Sequence, residues 1–418
     1  MQAARLPDHL NAEVALLKER GAAEENSDRL HRAQETVDRM RAMFPRFGIT
    51  RLADVTGLDR IGIPVWMAIR PNSKTLAVSQ GKGLSAAAAQ ASAIMEAAEI
   101  AAAETFPVAQ RSSSGKDLLA AGEMAAPLNN LIALNQHPIT DTDSIAWVEG
   151  YDLIRESTVW VPADAAAIVP TGGIGQRSRH WQSSDGLASG NVMLEAVFHG
   201  LCERVERDAS VLWTFRSDAE VVEKCVDPAS FQDSAIDGLT HLIERAGFHL
   251  RLFDVTSDVG IPVFFAVIAP RLDGFEKHWK HFDLSSGSGC HPSPARAAIR
   301  AITEAAQSRV TSITGARDDF DPSLYSTQLK ADLTIYLRAN PIRQDRLAEE
   351  PPHNPEDHLS FMLDRLRMIG VTSVIVVPIE FDASGFAVAK VLVPELEHPA
   401  AGRRQRYGQR AMKAMKPS

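Results

Sequence analysis

Acidic side chains recur at helical spacing in three segments of this 418-residue chain: Glu96 and Glu99 in SAIMEAAE, Glu203 and Glu206 in ERVERD, and Glu304 with Gln307 in EAAQSR. Residues three apart share one face of a helix, so each pair projects one way. Two carboxylates so placed repel by about a few tenths of a kcal/mol in water, and by far more when buried without cations. A solvated face, with Arg204 and Arg207 as partners, accounts for any one pair. Three such segments, each set among Ala, Ile, Val and Leu, point instead to gathered hard oxygen ligands. That chemistry suits magnesium, which takes a few carboxylates, waters and substrate phosphates.

Each acidic segment follows a glycine-bearing one. Ser79-Gln80-Gly81-Lys82-Gly83 and Ser285-Ser286-Gly287-Ser288-Gly289 read as loops that bring backbone N–H groups to an anion at a helix N-terminus. Ser189-Gly190-Asn191 reads the same way, and Ser85, Asn191 and Ser293 stand where helix-capping residues belong. Lys82, Arg207 and Arg309 are the candidate phosphate cations. GxxxxGK[ST] is absent, which excludes a P-loop, and the absence of GxGxxG weakens a dinucleotide reading. The residues alone thus give a nucleotide or polyphosphate site with magnesium, assembled from distant segments.

The elements that must position these residues are legible in outline. Residues 12–43 carry an apolar stripe (Leu16, Leu17, Leu30, Val37, Met40, Met43) and read as a helical arm, split near Gly21 and Glu24-Glu25-Asn26. Helices are expected over 85–104, 191–212, 230–246, 294–311 and 355–367, and strands over 145–151, 157–162 and 249–254. DVTGLDRIGIPVWMAIRP (54–71) returns two hundred residues later as DVTSDVGIPVFFAVIAP (254–270), an internal duplication with Pro64 and Pro262 at strand starts. A looser relative lies at 371–394, where two β-rich runs flank an Asp382–Gly385 turn. Residues 315–355, with Glu349-Glu350-Pro351-Pro352, read as a surface crossing of no legible role.

Composition sets the outer bounds. Hydrophobic residues make up 45% and charged residues 23%, the balance of a soluble globular protein. The length allows two or three domains or one intertwined unit, large enough to fold without disulfide or metal staples. Forty-four basic against 53 acidic residues, net −9, argue against a nonspecific nucleic-acid binder, and 6% aromatics argue against base stacking. Cys202, Cys225 and Cys290 are too widely spaced for a zinc knuckle and odd in number for a disulfide framework. No basic-then-apolar signal opens the chain, and the longest uncharged apolar stretches, 84–95 and 259–270, are too short to span a bilayer. A reduced, cytoplasmic protein without membrane contact is the expectation.

RLADVTGLDRIGIPV, GKG followed by SAIMEAAE, GLASGN with ERVERD, and EAAQSR, in that order, resemble the YcaO family from about Arg51 to about Glu397. The resemblance implies an α+β, YcaO-type fold with internally duplicated α/β units and a nucleotide site between three glutamate-bearing helices. It implies a single intertwined domain over 51–400, which leaves the helical arm read above as 1–50 and a basic tail over 401–418. It further implies ATP bound through a non-Walker site with glutamates holding Mg2+. On that basis Glu96, Glu99, Glu203, Glu206 and Glu304 are the metal residues, and Lys82, Ser92, Asn191, Gln307 and Arg309 contact the nucleotide. Glu206, Arg207 and Arg309 carry the catalytic roles. The helix of Ser92 departs from the family in one respect: Ile100 follows Glu99 where an Arg is common.

YcaO-like chemistry implies attack of a nucleophile on a backbone amide, after which ATP phosphorylates the oxyanion so that oxygen leaves as phosphate. A neighbouring Cys, Ser or Thr gives an azoline; external sulfide, delivered with a TfuA-type partner, gives a thioamide. This chain lacks the Pro-x-Pro-x-Pro ending of azoline-forming members and carries Arg403-Arg404-Gln405-Arg406 and Met415-Lys416-Pro417-Ser418 instead, which favours the stand-alone, thioamide-forming type. The expected partners are a precursor peptide or protein and a TfuA-like sulfur-delivery protein, with a homodimer left open. An ATP-binding scaffold without turnover is the remaining alternative. Cys290 and His291 read as packing residues first, with sulfur relay through Cys290 as the functional alternative.

Overall fold

The structure is a computed structural model that describes residues 6–24, 27–106, 110–169, 178–271, 279–317, 320–329, 331–348, 354–382, 385–398 and 407–415. In chain order the principal elements begin with α1 (Leu6–Arg20), α2 (Ala33–Arg41), β1 (Arg51–Asp54), β2 (Val65–Ile69), β3 (Val78–Lys82) and α3 (Ala86–Thr105). They continue with β4 (Arg111–Ser114), β5 (Ser144–Asp152), β6 (Ser157–Pro162), β7 (Leu187–Gly190), α4 (Met193–Trp213) and β8 (Cys225–Val226). Next come α5 (Ser234–Arg245), β9 (Phe248–Asp254), β10 (Val263–Pro270), β11 (Ser285–Cys290) and α6 (Pro294–Thr314). The chain closes with α7 (His358–Met368), β12 (Ile375–Asp382), β13 (Phe386–Leu392) and α8 (Gln409–Ala414). This is an α+β fold. Among the described residues no helix is long and apolar enough to cross a membrane.

The chain divides into two compact units, each built from discontinuous segments. One holds residues 32–98 and 213–354; the other holds 1–31, 99–212 and 355–418.

The first unit contains both copies of the duplication. β1-β2-β3 and β9-β10-β11 are antiparallel three-strand arrays, the second extended at its edge by β8. The Asp-x-Thr heads act alike: Asp54 accepts the N–H of Thr56 and Asp254 that of Thr256, while the two threonine hydroxyls accept from Val65 and Val263. Pro64 and Pro262 sit immediately before β2 and β10, where a missing N–H interrupts no ladder. Phe248, Leu252, Phe264, Ile236, Ile243 and Ile302 are all essentially buried in its core, and each such side chain contributes about 1.5–3 kcal/mol.

The glycine segments expected as anion loops are strands. Gly81 lies in β3 and Gly289 in β11, with α3 and α6 directly on them. A Cβ at Gly81 would stand 2.1 Å from both the Ala89 oxygen and the Ala93 nitrogen; at Gly289 it would stand 2.3 Å from the Ala297 oxygen and 2.6 Å from the Ala301 nitrogen. In both copies the helix residues lie eight and twelve positions beyond the glycine, so Gly81 and Gly289 are the equivalent pair. Glycine is therefore required here by the contact of strand backbone with helix backbone. The alanine-rich sequences of α3 and α6 serve the same closeness, with Ala89, Ala93, Ala97, Ala297 and Ala301 all fully buried.

The second unit repeats the design in a different chain order. Its sheet runs β4-β5-β12-β13-β7, with β6 also on β5. The hairpin β12–β13 takes β7 as third strand, antiparallel to β13, and α4 follows β7. The looser relative expected at 371–394 is thus a hairpin whose third strand and helix come from earlier in the chain. Gly385 turns it with φ 78°, while residues 383–384 of that turn lie outside the described residues, as do 349–353, 401–406 and 416–418.

Capping differs from expectation at two of three helices. Ser85 does accept the N–H of Ala88, 3.2 Å away. Ser293 offers no side-chain cap; α6 starts on Pro294, whose fixed φ suits the first turn. His291 instead accepts the N–H of Ser293 through Nδ1. Asn191 lies outside α4, whose first N–H groups, from Met193 and Leu194, donate to the carboxylate of Glu13 on α1. Burial raises the pKa of Glu13 above the usual carboxylate range, against the pull of those two N–H donors. The helical arm, split between α1 and α2 as its Gly21 implies, therefore supplies a cap that local sequence does not.

Candidate functional site

One bond recurs in all three strand–helix copies: a helix glutamate accepts a backbone N–H from the strand beneath it or, in the third copy, from the turn residue just before that strand. Glu96 Oε2 takes the N–H of Gln80 at 3.2 Å, Glu304 Oε1 that of Ser288 at 3.3 Å, and Glu203 Oε2 that of Gly186 at 3.1 Å. The first two pairs are each sixteen residues apart, which confirms the register set by Gly81 and Gly289. Such a bond favours the ionised carboxylate and fixes its orientation.

In the unit containing 32–98 and 213–354, Lys82 Nζ lies 2.7 Å from Glu304 Oε2 and 3.2 Å from Gln307 Oε1. Gln307 donates back to the Gln80 carbonyl at 2.7 Å, and the Gln80 side chain accepts from Thr311. Lys82, from one motif, and Glu304 and Gln307, from another, are thus one cluster. Glu96 is exposed and Ser92, one turn earlier on α3, is half-buried. Arg309, two residues beyond Gln307 on α6, pairs with Asp59 at 3.0 Å and stacks on the Phe248 ring, which Arg60 also meets.

In the other unit, Glu99 accepts from the Ser189 hydroxyl at 2.9 Å. Arg207 serves three acids: Glu203 at 3.2 Å, Glu206 at 3.4 Å and Asp185 at 3.6 Å. Burial raises the pKa of Glu203, opposed chiefly by Arg207. Burial would also raise Asp185, but His398 and the charges of Arg204, Arg207 and Lys390 hold it well below the usual range. Lys390 on β13 donates to the Ser183 carbonyl, and burial pushes its pKa down to about 8 against the attraction of Asp185 and Glu203. Burial and the Arg204 charge lower His398 to about 4.

Sequence reasoning missed Glu195. Its buried carboxylate accepts from the N–H and Nδ2 of Asn191, the guanidinium of Arg29 and the N–H of Leu30. The Asn191–Glu195 spacing on the way into α4 was the available signal. Arg29 and Leu30 join them only through the fold.

Donor chemistry tests the fit to a metal. The carboxylates of Glu96 and Glu304 in one unit and of Glu99, Glu203 and Glu206 in the other are hard oxygen donors. The three thiols are buried, and Cys290 sits inside β11. This set suits Mg2+ and not a thiophilic ion.

Oxygen donors beside a lysine or arginine, presented from helices over glycine-bearing strands, define the class: a protein that binds a nucleotide together with a divalent cation. A family model described as YcaO cyclodehydratase, ATP- and Mg2+-binding, matches residues 80–397. The chain belongs to the YcaO family, and its cofactors are ATP and Mg2+. It is 40% identical over 400 residues to an uncharacterised protein in the tfuA 3′ region of Rhizobium leguminosarum bv. trifolii, with 93% of each chain covered. The structure of YcaO from Methanopyrus kandleri bound with AMPPCP and Mg2+ superposes with a TM-score of 0.68 at 23% identity, covering 91% of this chain and 95% of that one. A heterocyclase in complex with substrate and cofactor gives a TM-score of 0.72 at 19% identity; 91% of this chain is covered but only 54% of the heterocyclase, so this chain spans about half its length.

Proposed function

We propose that the chain activates a peptide backbone amide with ATP, using sulfide as nucleophile, to give a thioamide. The observation that carries this reading is the 40% identity, over nearly full length, to a protein encoded in a tfuA 3′ region. Hydrosulfide adds to the amide carbonyl carbon, and the resulting oxyanion attacks the γ-phosphate with release of ADP. The C–O bond then breaks, phosphate leaves with the former amide oxygen, and loss of the thiol proton completes C=S. No electrons are exchanged.

Glu96 and Glu304 in one unit, and Glu99, Glu203 and Glu206 in the other, are the carboxylates that would hold Mg2+, which when bound neutralises phosphate charge. Lys82, already beside Gln307, offers an ammonium to a phosphate oxygen, and Ser92 and Asn191 offer polar contacts to the nucleotide. Glu206 and Arg207 form an ion pair at 3.4 Å; we assign the carboxylate to proton transfer and the guanidinium to steadying developing anionic charge. Arg309, neutralised by Asp59, we assign to holding the loop after β1 in place. Positioning supplies most of the rate, as in other phosphoryl transfers.

The family description and the heterocyclase likeness favour a second reading, a cyclodehydratase acting on Cys, Ser or Thr. Mass spectrometry of a candidate peptide, incubated with ATP, a TfuA-like partner and sulfide, separates the two. Exchange of oxygen for sulfur raises the mass and requires sulfide. Water loss lowers it and is indifferent to sulfide, and that result overturns the thioamide reading. ATP binding without either product supports a scaffold.

A further inference from the structure

Helix α4 has a second charged face. Arg204 and Asp208, four residues apart, are both completely buried. Asp208 Oδ1 accepts from Arg410 Nε at 2.8 Å and from the N–H of Glu397 at 2.9 Å, while Oδ2 accepts from Arg410 Nη2 at 2.9 Å. Arg204 donates to the Glu397 carbonyl at 2.7 Å. The Glu397 carboxylate in turn accepts the N–H groups of Gly408 and Ala411, at 2.8 and 2.9 Å. The segment around α8 is therefore bolted by a bidentate ion pair to the helix that carries Glu203, Glu206 and Arg207.

A buried ion pair is a poor device for mere attachment, because apolar packing of similar volume attaches as well or better. Its distinctive property is direction: two parallel N–H···O bonds fix one rotation of the carboxylate, and a carboxylate on a helix fixes the roll of the helix. We propose that Arg410 is a positioning residue: through Asp208 it sets the roll of α4 and thereby the aim of Glu206 and Arg207. The functional half of this inference rests on the ATP reading above; the structural half does not.

The test compares full-length wild type, Arg410→Ala and Arg410→Lys by Mg·ATP calorimetry and by hydrogen exchange over residues 203–208. Both variants should bind Mg·ATP at least about tenfold more weakly, with faster exchange at 203–208 and unchanged circular dichroism at the assay temperature. Guanidinium at tens of millimolar should restore most of the affinity of Arg410→Ala. Wild-type affinity in Arg410→Lys, which keeps charge but loses the fork, overturns the proposal. So does unchanged exchange at 203–208 in both variants, whatever the nucleotide does. A wild-type chain that does not bind Mg·ATP overturns the ATP reading alone, since exchange still decides whether Arg410 sets α4. Should Arg410→Ala not fold, Arg410→Lys decides.

Discussion

Replacing Glu304 by Gln separates a structural salt bridge from a metal ligand. The substitution keeps side-chain shape, so the amide oxygen can still accept the Ser288 N–H that Glu304 Oε1 now takes at 3.3 Å. What is lost is the charge 2.7 Å from Lys82 Nζ, between side chains that are 29% and 26% exposed. Water screens a pair this open, so its net worth is about 1 kcal/mol or less. In a chain of this length that moves the melting temperature by about 2 °C at most. The effect on ligand binding is of another size. Mg·ATP at a hundred times its dissociation constant stabilises the native state by about 2.7 kcal/mol. If Glu304 holds the cation, a hundredfold loss of affinity leaves roughly 0.4 kcal/mol of that. Thermal melts of wild type and Glu304→Gln, with and without Mg·ATP and with a chelator, measure both quantities. The wild-type shift should vanish with the chelator, and the variant should show almost none with magnesium present. A variant that keeps the full magnesium-dependent shift would show that Glu304 is only the partner of Lys82.

Glu206→Gln, read by circular dichroism and phosphate release, should leave the fold intact and lower ATP turnover by about two orders of magnitude; a folded, fully active variant makes Glu206 a bystander. Gly289→Ala should cost about 3 kcal/mol or more in denaturant melts, because its Cβ would stand 2.3 Å from the Ala297 oxygen. For His398 the folded pKa of about 4 lies below the ordinary value of 6.5, so the unfolded chain takes the proton first on acidification. Stability should therefore fall as pH drops from about 6.5 to 4, and His398→Phe should flatten that slope; parallel slopes in wild type and variant would refute it.

The sequence by itself determined what is local or periodic. The i, i+3 acids, the alanine-rich helices and the repeated Asp-Val-Thr with Gly-Ile-Pro follow from spacing alone, and they led to α3, α4, α6 and the duplicated β arrays. The glycine segments were misread because one residue type answers two demands. A tight anion loop and a strand pressed against a helix both exclude a Cβ, and only the helix backbone over Gly81 and Gly289 tells them apart. Tertiary structure alone decided which charges meet. Lys82 finds Glu304 222 residues away, Arg309 finds Asp59 across 250 and Arg410 finds Asp208 across 202. It decided the cap of α4, taken from Glu13, and the third strand–helix copy, whose hairpin is made nearly two hundred residues after its helix begins. The physical reason is common to all of these. A charge or an N–H needs a partner at hydrogen-bond distance, but nothing in its own neighbourhood of sequence says which distant segment the packed core will bring there.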